Sequence, residues 1–406
     1  MVRTLHLVHA LVFFVALLVA YYKAKLPDFT EELVYLKVER LSQWELGDGY
    51  ASASVNIEQS EIEKLEGRRA TLIVRTFDYI PESDRLEVLA TVRVKNNSIL
   101  LISPWYEVEE LPPKESLRKR LMKKLEERIK EPHLRAIALA FIFGEERKNL
   151  PLEVEEVFLK TGLIHVLVVS GLHVGLVFLF FYKLFPRAIS PYLGALGVLF
   201  YSTFLVPPNP PAIRATLMFL FYVLALILYR RYCSLCALFF SGTLMLFFAP
   251  HFVFSYSFWL SFFAVLYIIL TIREWELSNT AKTFLVSFGA FTGVSPLLVS
   301  FTYVYPISLI LSPLLSPLVL AYAFFAFLSL FTLFELPLSL LFMNFSGELL
   351  FRILKVFSDY SLGMSAKITK QEAFIVLIIG AIALYFLKGF NRLIPLVGIN
   401  FYLLLR

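Results

Sequence analysis

Three side chains with chemistry of their own stand inside an otherwise apolar run, TGLIHVLVVSGLHVGLV at residues 161–177: His165, Ser170 and His173. Ser170 and His173 are three residues apart, so on a helix they are neighbours. A serine beside a histidine is the beginning of a nucleophile–base pair. Such a pair also needs a group that orients the histidine. No Asp or Glu occurs between Lys160 and Arg273, so this region supplies none. The two histidines lie eight residues apart, about 80° and ~12 Å on a continuous helix, too far to share one metal ion. No catalytic residue, metal site or cofactor is therefore expected here. In hydrocarbon these polar groups need either a protein partner or water. A packed helix offers the first and a wet cavity the second.

Gly171 and Gly175 form a small-xxx-small pair that lets two helices approach closely, and Gly162 precedes them as a third packing position. Arg214 lies a few residues inside an apolar span, where a cation must face a cavity, a partner or the membrane surface. Cys233 and Cys236, in the run CSLC, are the two cysteines of the chain, so no disulfide framework is expected. As a pair they read as a redox or metal motif or as small apolar packing. Two thiols seldom close a metal site alone, and next to Arg230 and Arg231 they fall on the expected cytoplasmic side, where thiols stay reduced.

The elements that carry these residues are membrane helices. The chain is 58% hydrophobic, above the 45–50% of an ordinary soluble protein. Apolar runs near 163–182, 190–206, 211–229, 233–249, 252–272, 282–303, 318–334, 372–387 and 393–405 follow one another. With residues 5–22 they give about ten spans, and 335–372 stays unassigned. A retained anchor fits residues 1–29 better than a cleaved signal peptide, because bulky Tyr21, Tyr22 and Lys23 follow the apolar core. Pro306, Pro313 and Pro317 lie in PISLILSPLLSP, where a broken or re-entrant segment is expected.

Residues 30–110 differ in kind. ATLIVRTF and LEVLATVRVKNNSILLIS alternate with period two between turns such as Pro81-Glu82-Ser83-Asp84 and Asn96-Asn97-Ser98. About five strands fit, as in a small OB-like barrel. This module holds 9 basic and 16 acidic residues, a balance of −7, which opposes tight binding to a polyanion. Residues 111–132 contain a basic amphipathic helix over 114–130, with Leu117, Leu121, Leu125 and Ile129 on one stripe. It suits a membrane surface or the protein's own core. Residues 133–406 form the membrane domain. The pairs Lys183 and Arg187, Arg230 and Arg231, Arg273 and Lys282, and Lys388 and Arg392 fall on one side if the module lies on the other. By the positive-inside rule the β-module is then extracytoplasmic.

FGEERKNLP, then VFLKTGLIHVLVVSGLHVGLV, resembles the central membrane domain of the ComEC competence family. PPAIRATLM at 210–218, SYSFWLSFFAVLYI at 255–268 and TYVYPISLILSPLLSPLV at 302–319 are similar to further family stretches, in the same order. Trp259 departs from the family's usual Gln, and Ser312 and Pro313 stand where an Asn is common. The resemblance implies a multi-pass channel in the cytoplasmic membrane that passes single-stranded DNA during natural transformation. It places His165, Ser170, His173, Arg214 and Ser261 as candidates for the DNA path. Many members carry a metallo-β-lactamase-like domain with a His-x-His-x-Asp-His run, and none of the six histidines here lies in one. A separate nuclease, other DNA-uptake proteins, the lipid bilayer and a second copy of the chain are the expected partners. Two rival readings remain: an intramembrane hydrolase using Ser170 and His173, and a transporter of another anionic substrate.

Overall fold

The computed structural model describes residues 2–76, 80–95, 97–112, 116–145, 147–273 and 278–406. Asn96 of the second turn, Lys114 and Glu115 at the start of the basic helix, and Glu146 of the FGEERKNLP stretch lie outside the described residues.

An apolar N-terminal helix, α1 (Val2–Ala24), leads into seven strands. They are β1 (Phe29–Arg40), β2 (Glu45–Gly47), β3 (Tyr50–Ser60), β4 (Arg69–Arg75), β5 (Arg85–Lys95), β6 (Ser98–Pro104) and β7 (Val108–Leu111). The sheet runs β1-β3-β4-β6-β5, and β5 closes back on β1. The result is a five-stranded barrel with β2 and β7 as short edge additions. All its pairs are antiparallel except β4 with β6. Closure depends on β1 serving two neighbours, and its register shifts between Lys37 and Val38 against β3 and between Glu31 and Val34 against β5. Such bulges increase local twist and let a long strand bend round a small barrel. The period-two pattern does what it dictates: Val55, Ile57, Leu72, Leu86, Val88, Val92 and Leu101 fill the interior.

The barrel is seated on the helices by specific bonds. Arg68 donates to the Ala24 carbonyl at 2.7 Å, a cation at the C-terminal end of α1. The Leu26 N–H donates to Asn97 Oδ1, and the Gln43 N–H to Asn149 Oδ1. The basic helix, α2 (Leu117–Arg128), is N-capped by Ser116, which accepts from the Lys119 N–H. It buries Leu121, Leu125 and Ile129 in the protein's own core while Leu117 is exposed. Its cations meet the chain's own acids: Lys119 to Asp84 of the barrel at 2.6 Å, and Lys124 and Arg128 to Glu335 at 2.6 Å each.

Thirteen further α-helices complete the described chain: α3 (Pro132–Phe143), α4 (Leu152–Lys160), α5 (Ile164–Leu167), α6 (Gly171–Leu184), α7 (Ser190–Phe200), α8 (Pro210–Ile227), α9 (Ser234–Phe248), α10 (Tyr256–Ile272), α11 (Asn279–Val299), α12 (Ser308–Phe331), α13 (Pro337–Ser358), α14 (Lys370–Phe386) and α15 (Leu393–Leu404). They bury two separate apolar cores. One joins α2 to α8 with α12 and α13; the other joins α1, α9, α10, α11, α14 and α15. Helix α8 belongs to both, with Ala212, Ala215 and Val223 in the first and Ile213, Leu217 and Met218 against the second. Among the described residues four helices are long and apolar enough to cross a membrane: Leu5–Ala24, Pro210–Ile227, Asn279–Val299 and Ser308–Phe331. Several of the other expected spans form shorter apolar helices, such as Gly171–Leu184, Ser234–Phe248 and Tyr256–Ile272.

Two expectations are corrected. Pro306 precedes α12, but Pro313 and Pro317 lie inside it, and the helix is continuous for 24 residues. Pro317 has no N–H to give the Pro313 carbonyl. The Ser316 hydroxyl donates to that carbonyl instead, at 2.8 Å, the kind of replacement that lets proline persist in a membrane helix. Conversely, the apolar run at 163–182 is not one helix. It breaks into α5, an extended link over 168–170 and α6.

Candidate functional site

The break in the apolar run explains its polar residues. Gly162 ends α4 with φ +70°, a left-handed conformation, and a Cβ there would stand 2.7 Å from the Ser308 Cβ. Only glycine meets both conditions cheaply. The chain then makes the single turn of α5, in which His165 Nδ1 bonds the Gly162 carbonyl at 3.0 Å and the rest of the imidazole is exposed.

Ser170 is the N-cap of α6. Its Oγ accepts from the Leu172 N–H at 3.3 Å, and His173 Nδ1 accepts from the Ser170 N–H at 3.1 Å. This is a reciprocal capping arrangement with histidine in the place usually held by Glu or Gln. Because Nδ1 accepts, the ring proton sits on Nε2. His173 is fully buried against Phe141, ring centroids 4.2 Å apart, and its Nε2 is without a hydrogen-bond partner. Among the described residues this buried N–H donor makes no well-formed hydrogen bond, the Val166 carbonyl interacting with the ring without closing one.

Arg214 approaches the same helix end from α8. It is 6% exposed. Its Nε donates to Ser261 Oγ on α10 at 2.7 Å, and Nη1 reaches Met218 Sδ at 3.3 Å. Its Nη2 lies 3.2 Å from where a Cβ on Gly171 would be, and Ala215 Cβ lies 3.6 Å from that point. One turn on, Gly175 faces Phe219 at 3.6 Å. The two glycines therefore admit α8 against α6. No ion pair of Arg214 is formed among the described residues.

The structure thus brings Ser170, Gly171, His173, Arg214 and Ser261 together where the two helical cores meet. Gly162, whose carbonyl bonds His165, lies at the next break against Ser308 at the start of α12, while Pro313 and Pro317 are inside α12. A buried guanidinium at the positive end of a helix, without a carboxylate, is an unbalanced arrangement. Its natural complement is an anion. Trp259 donates its indole N–H to the Val253 carbonyl at 2.7 Å and stacks on Phe263, so it is a packing residue.

Sequence reasoning passed over two polar groupings. Asn400 of α15 donates to Thr292 of α11 at 2.7 Å and accepts from Ser295 at 3.4 Å. A lone amide in an apolar helix was the available signal. His6, near the start of α1, lies beside Cys233, which is bonded to Cys236 as a disulfide. That pairing corrects the expectation of two separate reduced thiols. Nothing in the sequence links residues so far apart.

Comparison with known proteins adds the following. Residues 141–391 match the family described as Competence protein. An uncharacterized protein of Aquifex aeolicus (strain VF5) is 54% identical over 399 residues, covering 98% of this chain and 97% of that one. No solved structure matches.

Proposed function

The chain belongs to the competence protein family, and from that premise we propose that it conducts single-stranded DNA across the cytoplasmic membrane. Membership supports a role in DNA uptake at the family level, and the apolar helices make it a membrane protein. The observation that carries the finer reading is Arg214: a buried cation without a carboxylate, at the N-terminus of α6, beside the unpartnered Nε2–H of His173. A polyanion passing the seam between the two helical cores would find donors and positive charge there. It would meet no acid from the segment 161–273.

The barrel is the extracytoplasmic module in this reading, and its strand order supports an OB-type fold. Numbered without β2 and β7, its strands run 1-2-3-5-4-1 with the third and fifth parallel. Two ends of α1 support the orientation. Ala24 meets the barrel, while His6 meets Tyr385, whose ring carries Arg273. Arg392 also donates to the Arg273 carbonyl. Arg273 and Arg392, two cations of the expected cytoplasmic loops, thus lie at the end of α1 away from the barrel, which supports this orientation. About ten segments would cross, the shorter ones within a locally thinned or protein-filled layer. A separate nuclease, other uptake proteins and a second copy of the chain are its proposed partners.

The hydrolase alternative is disfavoured by the cap itself. Ser170 Oγ and His173 Nδ1 do lie 3.3 Å apart, but each also accepts a backbone N–H of the cap, and no carboxylate orients His173 among the described residues.

The test is uptake of labelled DNA into the cytosol of a strain lacking the gene, complemented with wild type, Arg214→Ala or Arg214→Lys at equal membrane abundance. Loss of uptake of tenfold or more in Arg214→Ala, with partial recovery in Arg214→Lys, is expected. Normal uptake by Arg214→Ala would remove the path from this seam. A cysteine replacing exposed Asp48 should react with an impermeant thiol reagent on intact spheroplasts; labelling only after lysis would invert the orientation.

A further inference from the structure

At the end of α1 remote from the barrel, three metal-ligating side chains converge from two distant parts of the chain. Cys233 is the N-cap of α9, its Sγ accepting from the Cys236 N–H at 3.2 Å. That bond and the helix end favour a thiolate at Cys233. His6, 227 residues away in sequence, places Nε2 3.4 Å from Cys233 Sγ. The imidazole Nε2 and the two Sγ atoms all lie within 4.8 Å of one another. Bonds of ~2.3 Å to sulfur and ~2.0 Å to nitrogen about a tetrahedral ion put such ligand atoms roughly 3.5 Å apart, close to the separation of His6 from Cys233. The other nitrogen of His6, Nδ1, is bonded to Tyr385 Oη at 3.4 Å. A ligating histidine is held in this way, through its second nitrogen, by a partner behind it. An apolar groove of about 190 Å³ between α1, α9, α10 and α14 reaches His6 and Tyr385, so the site is approached from the histidine side.

We propose that, when the cysteine pair is reduced, Cys233, Cys236 and His6 form a three-ligand site for a thiophilic metal ion, with zinc as the probe. The disulfide is the metal-free, oxidised state of the same site. A dithiol reductant transfers two electrons and two protons to it: the Cys233–Cys236 bond breaks and the reductant closes its own disulfide. Zn²⁺ then displaces the two thiol protons as two metal–sulfur bonds form, and His6 Nε2 supplies a lone pair. The ion ties the N-terminal anchor to α9, and oxidation unties it. This inference does not depend on what crosses the seam at Arg214, because the two sites share no residue.

The full chain, purified in detergent, reduced and stripped of metal, would be given Zn²⁺, freed of excess and assayed for bound metal. Co²⁺ in a parallel sample would report thiolate ligation by its sulfur-to-metal charge-transfer absorption. The expected result is about one ion per chain, protection of both cysteines from alkylation, and release of the ion on oxidation to the disulfide. Tyr385→Phe should weaken binding about tenfold, and His6→Ala or His6→Gln should weaken it further. The proposal is overturned if reduced wild type holds no more zinc than the Cys233→Ser/Cys236→Ser double variant. It is equally overturned if both His6 variants, folded as judged by their elution as monodisperse protein, bind zinc like wild type.

Discussion

Arg214 Nη2 sits 3.2 Å from the position that a Cβ on Gly171 would take. The contact is tight but falls on the end of a flexible side chain, so the size of the substituent decides the outcome. Gly171→Ala should fold with a small shift of the guanidinium. Gly171→Leu must displace both Arg214 and Ala215 and should cost about 1–3 kcal/mol by overpacking. Thermal unfolding of the purified variants in detergent checks this. Equal melting temperatures for the two would mean that α8 does not pack here.

His173 combines two duties, and one substitution separates them. Its Nδ1 caps α6 through the Ser170 N–H, whereas its Nε2–H is unpartnered. Gln in the same place can accept the Ser170 N–H, as in an ordinary capping box. His173→Gln should therefore keep near-native stability, while His173→Ala loses a cap worth about 1 kcal/mol. If the free Nε2–H serves the path, both variants lose DNA passage; if the cap alone matters, His173→Gln transports like wild type.

The barrel and the basic helix were legible because their signals are periodic: alternate residues of β3 and β5 are buried, as is the Leu121–Leu125–Ile129 stripe. The run at 163–182 was misjudged because hydropathy does not register a left-handed glycine or a serine cap. Gly162 ends α4 just before the run and Ser170 caps α6 within it, without lowering the run's mean apolarity. The α12 prolines misled for the opposite reason. They announce a break, and the Ser316 hydroxyl cancels part of its cost. The grouping of Arg214 with Ser261 and Gly171 depends on how three helices pack, which no local pattern encodes.

Asp84 joins the barrel to the helices. It accepts from Arg40 at 2.7 Å and from Lys119 of α2 at 2.6 Å. Partial burial pushes its carboxyl up, but the bonds and charges of Lys119 and Arg40 outweigh this and hold it below the usual carboxylate range. A carboxyl depressed in the folded state stabilises that state above its unfolded value, about 3.9. The contribution is lost as pH falls through the folded value. Protease sensitivity of the barrel–α2 junction should therefore rise below about pH 4 in wild type. Asp84→Asn should be sensitive already at neutral pH, with a weaker acid response. An identical acid response in Asp84→Asn would assign the effect to other carboxylates.

The isolated barrel, residues 30–110, should bind single-stranded DNA weakly even though OB-type barrels often bind such strands. Its balance is −7, and several of its nine cations already have partners in the intact chain. Lys37 pairs with Glu87, Arg40 with Asp84, Arg85 with Glu58, and Arg68 with the Ala24 carbonyl of α1. Trp105 and Tyr106 are exposed and could stack on bases. Stacking without clustered cations releases few counterions, so binding should be weak and nearly flat in salt. Fluorescence titration with an oligothymidylate at two ionic strengths distinguishes the cases. Tight binding that falls steeply with salt would show that Arg93 and Lys95 form a basic face, and would move the first contact with DNA from the helical seam to the barrel.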